Sequence, residues 1–378
     1  MKYLKYIFFI NFLLLLSCGG GGGDGAADSS TPEVPTRSFY MGFTPWPYDS
    51  TLNAVNITYQ KIQQHGDIVH HQIMQGIPWD EAFNSTAYPL HLENDLSGRL
   101  NQTLTGKTIL LSIDSLDASR TVLASNWGEN GSELRAAPWD TRNFDSPEVI
   151  TAYTNFALDL IDRFNPEYFN YGTEASELIL SDLDQYNRFK VFAQQVYTNI
   201  KAQYPDLKLM FSIALKHPTS AEMDLISQNL TDILPYVDVL GVSVYPYIFY
   251  NHADKGDPAN LPSDWLDQVT QLAPGKAIAI TETGWIAEDL VIDVFGVNVA
   301  SNEMNQRNYV VRLLEESNQL NIEFVIWWSV IDFQALWDDA LGQDDLAAIW
   351  RDIGLYDEMV QPRSGLADWQ LYLDRPKR

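Results

Sequence analysis

The segment AIAITETGW, residues 277–285, decides the fold, because a short apolar run ends there in a glutamate followed by glycine and tryptophan. A second segment, YFNYGTE at residues 168–174, also ends an apolar run in a glutamate. Apolar runs this short, bounded by glycine and polar residues, are typical of buried parallel strands. We therefore expect Glu174 and Glu282 to stand at strand exits, each held on a rigid element at the mouth of a sheet.

Further runs of the same kind bring the predicted strands to eight. In chain order they cover residues 39–44, 67–73, 108–113, 168–172, 207–215, 237–244, 277–281 and 324–330. Most gaps between them carry apolar residues at helical spacing, as in 147–164, 186–202 and 305–318, and a last helix is predicted at 365–373. Eight strands that alternate with helices predict an α/β protein with a single (β/α)8 TIM barrel.

A doubly wound open sheet is the alternative α/β architecture. It would need a glycine-rich phosphate loop directly after the first strand, and MGFTPW at residues 41–46 is not such a loop. The five glycines at residues 19–23 precede every predicted strand, so they indicate a tether and not a nucleotide site.

The first 36 residues predict a targeting segment and a linker. Residues 1–18 combine a basic start with an apolar stretch too short to span a bilayer, which is the pattern of a secretory signal. Their ending, LLSC, resembles the bacterial lipoprotein signal, and this resemblance implies lipidation of Cys18. An ordinary signal peptide cut elsewhere, with a free thiol, is the alternative. Residues 19–36 predict a flexible tether, and residues 37–378 the catalytic barrel.

The formal net charge of −26 limits the classes of partner that the protein can bind. Such a surface repels nucleic acid and anionic membranes, so we expect no nucleic-acid partner and membrane attachment only through the N-terminal lipid. It also argues against a strongly acidic polysaccharide unless the cleft is locally basic. The expected protein is a monomeric secreted lipoprotein of the cell envelope, at the outer membrane or the cell surface.

The predicted strand exits are rich in carboxylates and aromatic side chains. In a (β/α)8 barrel the chemistry lies at the carboxyl ends of the strands. Two carboxylates that face one cleft are the equipment for cleaving a glycosidic bond, while aromatic rings offer flat faces to sugars. The catalytic candidates are Glu174 and Glu282. The candidates for binding a polysaccharide or oligosaccharide are Trp46, His70, His71, Asp114, Thr173, His217, Tyr245, Tyr247, Trp285, Trp327, Trp328 and Asp332.

Other chemistries find little support. His70 and His71 are adjacent, so on a strand their side chains point to opposite faces and at most one reaches the cleft. No His, Asp or Glu grouping has convincing metal-ligand spacing, and no Gly-x-Ser-x-Gly occurs. We therefore predict no metal, no cofactor and no serine nucleophile.

The chain resembles the large clan of retaining glycoside hydrolases that have a (β/α)8 barrel. The resemblance implies that Glu174, at the end of strand four, is the acid/base and that Glu282, at the end of strand seven, is the nucleophile. It also implies a hydrogen bond from Tyr245 to the nucleophile and a strand-eight tryptophan, Trp327 or Trp328, under the sugar. Within the clan the chain is most similar to family 53, the endo-β-1,4-galactanases, and ETGW also resembles family 17. The implied activity is endo cleavage of a β-galactan or β-glucan by double displacement.

One departure from the clan leaves alternatives open. The clan usually has Asn before the acid/base, where it binds the sugar 2-hydroxyl, and this chain has Thr173 there. Glu177, three residues after Glu174, is an alternative acid. A catalytically inactive glycan-binding lipoprotein and a transglycosylase that uses the same glutamates are the alternative functions.

Overall fold

The computed structural model describes residues 34–103 and 105–378. The predictions for residues 1–18, for Cys18 and for most of the tether lie outside the described residues. Residues Thr36–Arg378 form one compact unit. Within the described part of the chain, no helix is both long enough and apolar enough to cross a bilayer.

Eight parallel strands close into a barrel, which confirms the predicted (β/α)8 fold. The barrel strands are β1 (Tyr40–Phe43), β2 (Ile68–Ile73), β3 (Thr108–Ile113), β4 (Tyr168–Asn170), β5 (Lys208–Ala214), β6 (Val239–Val244), β7 (Ala277–Thr283) and β8 (Phe324–Trp327). Each strand pairs in parallel with the next along the chain, and β8 pairs with β1. Closure leaves no open edge, and it brings all eight carboxyl ends to one face.

Helices fill the connections between the strands. The α-helices are α1 (Leu52–His65), α2 (Trp79–Asn84), α3 (Leu90–Gln102), α4 (Pro147–Phe164), α5 (Glu177–Ser181), α6 (Leu183–Gln203), α7 (Ala221–Leu230), α8 (Pro246–Phe249), α9 (Gln268–Leu272), α10 (Glu303–Gln319), α11 (Gln334–Asp339) and α12 (Gly365–Leu373). Helix α4 has the predicted bounds, because Pro147 suits the first turn and Asn165 closes the helix in left-handed backbone.

Alternation along the strands sorts side chains between the barrel interior and the surrounding helices. An apolar layer fills the interior, and its members are Ile68, Leu110, Tyr168, Met210, Val239, Ala279, Phe324 and Ile326. Residues two positions further along a strand face the same way, so His70 and Ser112 form part of a polar layer above it. The barrel is therefore a packed core that carries its polar groups toward the carboxyl ends.

Two antiparallel hairpins extend the connections that follow β3 and β7, and the sequence pattern did not predict them. The first joins Asn126–Gly128 to Gly131–Glu133, and the second joins Leu290–Ile292 to Val297–Val299. Both lie in strand-to-helix connections, which is where barrel enzymes build their clefts.

Candidate active site

One pocket at the carboxyl ends of the strands brings Glu174 and Glu282 together. Its lining comes from the ends of β2, β3, β4, β7 and β8 and from the loops that follow them. The lining residues are Gln72, Met74, Asp114, Ala118, Arg120, Glu174, Glu282, Trp328, Leu346 and Trp350. The two carboxylates thus face one cleft, which is the arrangement that the strand positions predicted.

A β-bulge in β7 turns Glu282 into this pocket. Along β6, Val242 lies opposite Ile280, but the next residue, Ser243, lies opposite Glu282, so Thr281 is an extra residue. The pairing of β7 with β8 shows the same offset of one residue. Thr281 already faces the interior, beside Gly241. Strict alternation would therefore place Glu282 on the helix side, and the extra residue returns its carboxylate to the cleft.

Burial dominates the surroundings of Glu282, whose exposed fraction is 7%. The Tyr245 hydroxyl donates a hydrogen bond to its Oε2 at 3.4 Å. Loss of solvent, followed by the negative charge of Glu174, raises the pKa of Glu282 well above its usual value, and Arg120 opposes the rise. Burial also raises the pKa of Tyr245, so the tyrosine stays a hydrogen-bond donor at neutral pH.

Glu174 is held in an unusual backbone conformation just after β4. Its φ is 53°, in the left-handed region that glycine favours. Its N–H donates to the Ser212 hydroxyl at 2.9 Å, which fixes the turn against β5. The side chain is 20% exposed and its Oε2 lies 3.3 Å from Arg120 Nε. Strained backbone of this kind gathers at functional sites.

Glu177, the alternative acid, lies elsewhere. It begins α5, and its Oε1 forms an ion pair with Lys216 Nζ at 2.7 Å. It is not among the described residues that line the pocket. Of the two candidates, Glu174 is the one that shares a cleft with Glu282.

Arg120 is the cation of the pocket, and the sequence reasoning missed it. Its Nη1 lies 2.9 Å from Asp114 Oδ2. Asp114 also accepts a hydrogen bond from the Thr173 hydroxyl at 2.6 Å and a longer one from Gln72 Nε2 at 3.3 Å. The charges of Asp114, Glu174 and Glu282 raise the pKa of Arg120 despite its burial, so the guanidinium stays charged.

This network corrects the prediction for Thr173. The side chain is 1% exposed, and its hydroxyl is committed to Asp114. It therefore orients Asp114 and is not free to bind a sugar 2-hydroxyl. Asp114 itself lines the pocket.

A tryptophan wall, made of Trp328 and Trp350 with Trp46 packed behind them, closes another side of the pocket. Trp328 follows β8 and points inward, and its ring centroid is 4.9 Å from that of Trp46 and 5.9 Å from that of Trp350. Trp46 backs this wall without lining the pocket in the described structure. Trp350 was not predicted, because it arrives on the 3-10 helix Ala347–Trp350 in the long connection after β8.

Two other predicted tryptophans belong to the core between the barrel and its helices. Trp285 stacks on Tyr309 with centroids 4.6 Å apart, and its Nε1 donates to Gly256. Trp327 donates from Nε1 to the Ile353 carbonyl at 2.7 Å. Both are 0% exposed, so the prediction that they contact substrate is corrected. For Trp327 the reason is alternation, since its neighbour on β8 takes the inward position.

Tyr247 and Asp332 are also structural. The Tyr247 hydroxyl donates to the Ile349 carbonyl at 2.7 Å, next to the pocket residue Trp350. Asp332 accepts the Gly354 N–H at 2.6 Å and pairs with Arg363. Both side chains are buried and support the loops after β8, so their predicted contact with substrate is corrected.

None of the three predicted histidines is among the described residues that line the pocket. His70 points into the barrel, where Ser112 Oγ lies 2.7 Å from Nε2, and burial lowers its pKa to about 3. His71 faces the helices and packs on Phe164. His217 is half-buried beside Tyr250. The opposite directions of His70 and His71 follow from strand alternation.

One grouping of acids among the described residues is tight enough to bind a metal ion. It consists of Glu288, Asp332 and Glu358, with one oxygen of each within 4.8 Å of the others. Arg363 already forms ion pairs with Glu288 and Asp332. The arrangement therefore fits a charge network that anchors loops better than a metal site.

Comparison with known proteins supports the fold. No protein-family profile matches the chain, and no curated protein sequence matches it. Several solved structures share the fold, and their names are those of different glycoside hydrolases, so no single family stands out.

Three of these structures illustrate the similarity. An exo-β-1,4-mannosidase from Opitutaceae bacterium strain TAV5 matches with a TM-score of 0.58 and 13% identity, over 89% of this chain and 59% of the mannosidase. A GH53 catalytic domain from Ignisphaera aggregans matches with a TM-score of 0.57 and 14% identity, over 91% and 98% of the two chains. Xylanase 10B from Thermotoga maritima matches with a TM-score of 0.56 and 12% identity, over 89% of this chain and 95% of the xylanase. At these identities, 12–14%, the likeness establishes the barrel fold alone.

Proposed function

We propose that this protein is a retaining glycoside hydrolase that cleaves β-linked bonds of a glycan by double displacement. One observation carries the proposal: the buried, tyrosine-bonded Glu282 at the end of β7 and the more exposed Glu174 after β4 line the same pocket. The structural neighbours support the class of substrate, since they are named as a β-1,4-mannosidase, a GH53 domain and a xylanase. A β-galactan or β-glucan is the proposed substrate, with endo cleavage.

The two glutamates take different steps of the reaction. In the first step a Glu282 oxygen attacks the anomeric carbon while the bond to the leaving oxygen breaks, and Glu174 gives its proton to that oxygen. In the second step Glu174 takes a proton from water, the water oxygen bonds to the anomeric carbon, and Glu282 leaves. Two inversions restore the original anomeric configuration. The Tyr245 hydrogen bond favours the charged form that Glu282 needs.

The charges of the pocket favour a neutral glycan over a uronic acid polymer. Among the described lining residues, Arg120 is the one cation, set against the three carboxylates of Asp114, Glu174 and Glu282. The guanidinium is already bonded to two of these carboxylates. A sugar carboxylate would meet uncompensated negative charge, whereas the faces of Trp328 and Trp350 suit the C–H face of a neutral ring.

The cellular setting is part of the proposal. The signal pattern of residues 1–18 and Cys18 support a lipoprotein held at the cell envelope by its lipid alone, and we propose that it is a monomer. A Cys18→Ser variant should lose the lipid, seen as a change in mass of the N-terminal peptide, and move to the soluble fraction. Wild-type protein that lacks the lipid would contradict this part.

The test of function is a hydrolysis assay on a panel of plant and algal polysaccharides, with product sizing. We expect the wild type to cleave a neutral β-glycan and Glu174→Gln and Glu282→Gln to lose activity. Glu177→Gln is the matched control, because Glu177 pairs with Lys216 outside the pocket. The first product, followed by NMR, should keep the β configuration. An inverted product or full activity in Glu282→Gln contradicts the mechanism, and longer products at high substrate indicate transglycosylation.

A catalytically inactive glycan-binding lipoprotein is the second candidate. The observation in its favour is that Arg120 pairs with Glu174, the proposed acid, while burial raises the pKa of Glu282, the proposed nucleophile. Binding of a panel glycan without hydrolysis, and equal binding by Glu282→Gln, would establish this candidate over the enzyme.

A further inference from the structure

Arg120 reaches the pocket from a loop that is fixed without help from Glu174. Leu116 and Leu123 pair across the base of the loop. Inside it, Asp117 accepts hydrogen bonds from the N–H groups of Thr121 and Val122 at 3.0 and 3.1 Å. Arg120 stands at the tip with φ of 59°. The loop therefore holds the positively charged guanidinium at a fixed position in the pocket.

The guanidinium is also anchored from the barrel side. Its Nη1 contacts Asp114 at 2.9 Å and the Asp117 carbonyl at 3.3 Å, and Asp114 is in turn oriented by Thr173. The Arg120 side chain is only 13% exposed. Nε remains to contact Glu174 at 3.3 Å. The rigid, planar guanidinium thus contacts Asp114 through one nitrogen and Glu174 through another.

The groups that face Glu282 explain why this charge matters. Asp114 and Glu174 are negative and favour the protonated form of Glu282, as burial does. Arg120 and the Tyr245 hydroxyl favour the charged form. Among these facing groups Arg120 supplies the one positive charge, and a nucleophilic carboxylate has to be ionised to attack.

We propose that Arg120 is a positioning residue that holds Glu174 in place and sets the lower end of the pH range over which the Glu174–Glu282 pair works. This inference rests on the proposed function. Without the cation, the negative charges of Asp114 and Glu174 would act on Glu282 unopposed, so Glu282 would ionise only at higher pH. The acid limb of the pH–activity profile would then move in the alkaline direction.

The test compares Arg120→Gln and Arg120→Lys with the wild type on the panel glycan that the wild type cleaves best. We expect the acid limb of the kcat/KM profile of Arg120→Gln to shift by about one pH unit upward, which is about a tenfold loss on the acid side. Arg120→Lys keeps the charge and should shift less. Lys216→Gln is the control, since it removes a cation that pairs with Glu177. Lower activity with the acid limb unmoved would overturn the proposal.

A second measurement needs no turnover. Carboxyl-carbon NMR titration of glutamate-labelled protein, with Glu174→Gln and Glu282→Gln to assign the signals, gives the midpoints directly. We expect the Glu282 midpoint to rise by about one unit in Arg120→Gln, equivalent to a tenfold change in the ionisation constant. An unchanged midpoint in a folded variant overturns the proposal. A wild type that cleaves no glycan while this midpoint shifts would instead reject the proposed function and leave the role of Arg120 standing.

Discussion

Arg120 and Glu174 form an ion pair between two residues that both lie in left-handed backbone, with φ values of 59° and 53°. Neither is a glycine, and each such residue costs on the order of 1 kcal/mol or more. The strain is thus stored where two loops, one after β3 and one after β4, meet in the pocket. The rest of the barrel holds these residues in place, and the strained backbone positions the guanidinium and the carboxylate in the pocket.

Replacing Glu174 by Asn should therefore stabilise the protein while removing its activity. Asn tolerates left-handed backbone better than Glu, and the change also removes a negative charge close to Glu282. We expect the free energy of unfolding to rise by about 1 kcal/mol, measured by urea denaturation at pH 7. Glu177→Asn is the control, because Glu177 lies in helical backbone in α5. A Glu174→Asn protein less stable than this control would contradict the interpretation of strain.

Tyr245 offers a test of how the ionised nucleophile is maintained. Tyr245→Phe removes the hydrogen bond to Glu282, so the charged form loses a donor and the acid limb of the pH profile should move to higher pH. We expect about a tenfold loss of kcat/KM at the acid side, the scale of a hydrogen bond to a charged group. Tyr247→Phe is the matched control, because the Tyr247 hydroxyl bonds only the Ile349 carbonyl in the described structure. That variant should lose stability without a pH shift, and equal shifts in both would argue against a role for Tyr245.

The tryptophan wall should govern substrate binding. Trp350→Ala removes the ring that packs edge-on against Tyr245 at 5.9 Å and contacts Trp328. Because a stacked aromatic contributes roughly 0.5–1.5 kcal/mol beyond its buried area, KM should rise several-fold or more while kcat changes little. Trp327→Phe provides the comparison, since Trp327 packs among helices and should affect stability without changing KM. A KM that rises equally in both variants would remove Trp350 from the binding site.

The sequence pattern predicted the barrel and the exits of β4 and β7, because strand runs and helical spacing depend on local side-chain order. The assignment of individual rim residues was less complete. Which of Trp327 and Trp328 faces inward depends on register, and the inward turn of Glu282 depends on a bulge that no local pattern reveals. Arg120 and Trp350 enter the pocket on irregular loops, where position is set by contacts distant in sequence.

Glu282 also couples the free energy of unfolding to pH. Burial raises its pKa in the folded state above the unfolded value, so its contribution to stability is complete below the unfolded value of about 4.3 and is lost as the pH rises through the folded value. Glu282→Gln replaces the buried charge by a neutral group of the same shape. The free energy of unfolding of this variant should equal that of the wild type at pH 4. At pH 8 it should be higher by about 1 kcal/mol or more, which is the scale of burying an imperfectly paired polar group.

Urea denaturation of the two proteins at pH 4, 6 and 8 measures this difference. Glu177→Gln serves as the control, because the ion pair with Lys216 leaves no buried, unpaired charge to relieve and its removal should give no gain at pH 8. A Glu282→Gln protein whose advantage is constant with pH would show that the gain comes from packing. A loss of stability at pH 8 would show that Arg120 and Tyr245 compensate the Glu282 charge fully, so that the folded state prefers it ionised.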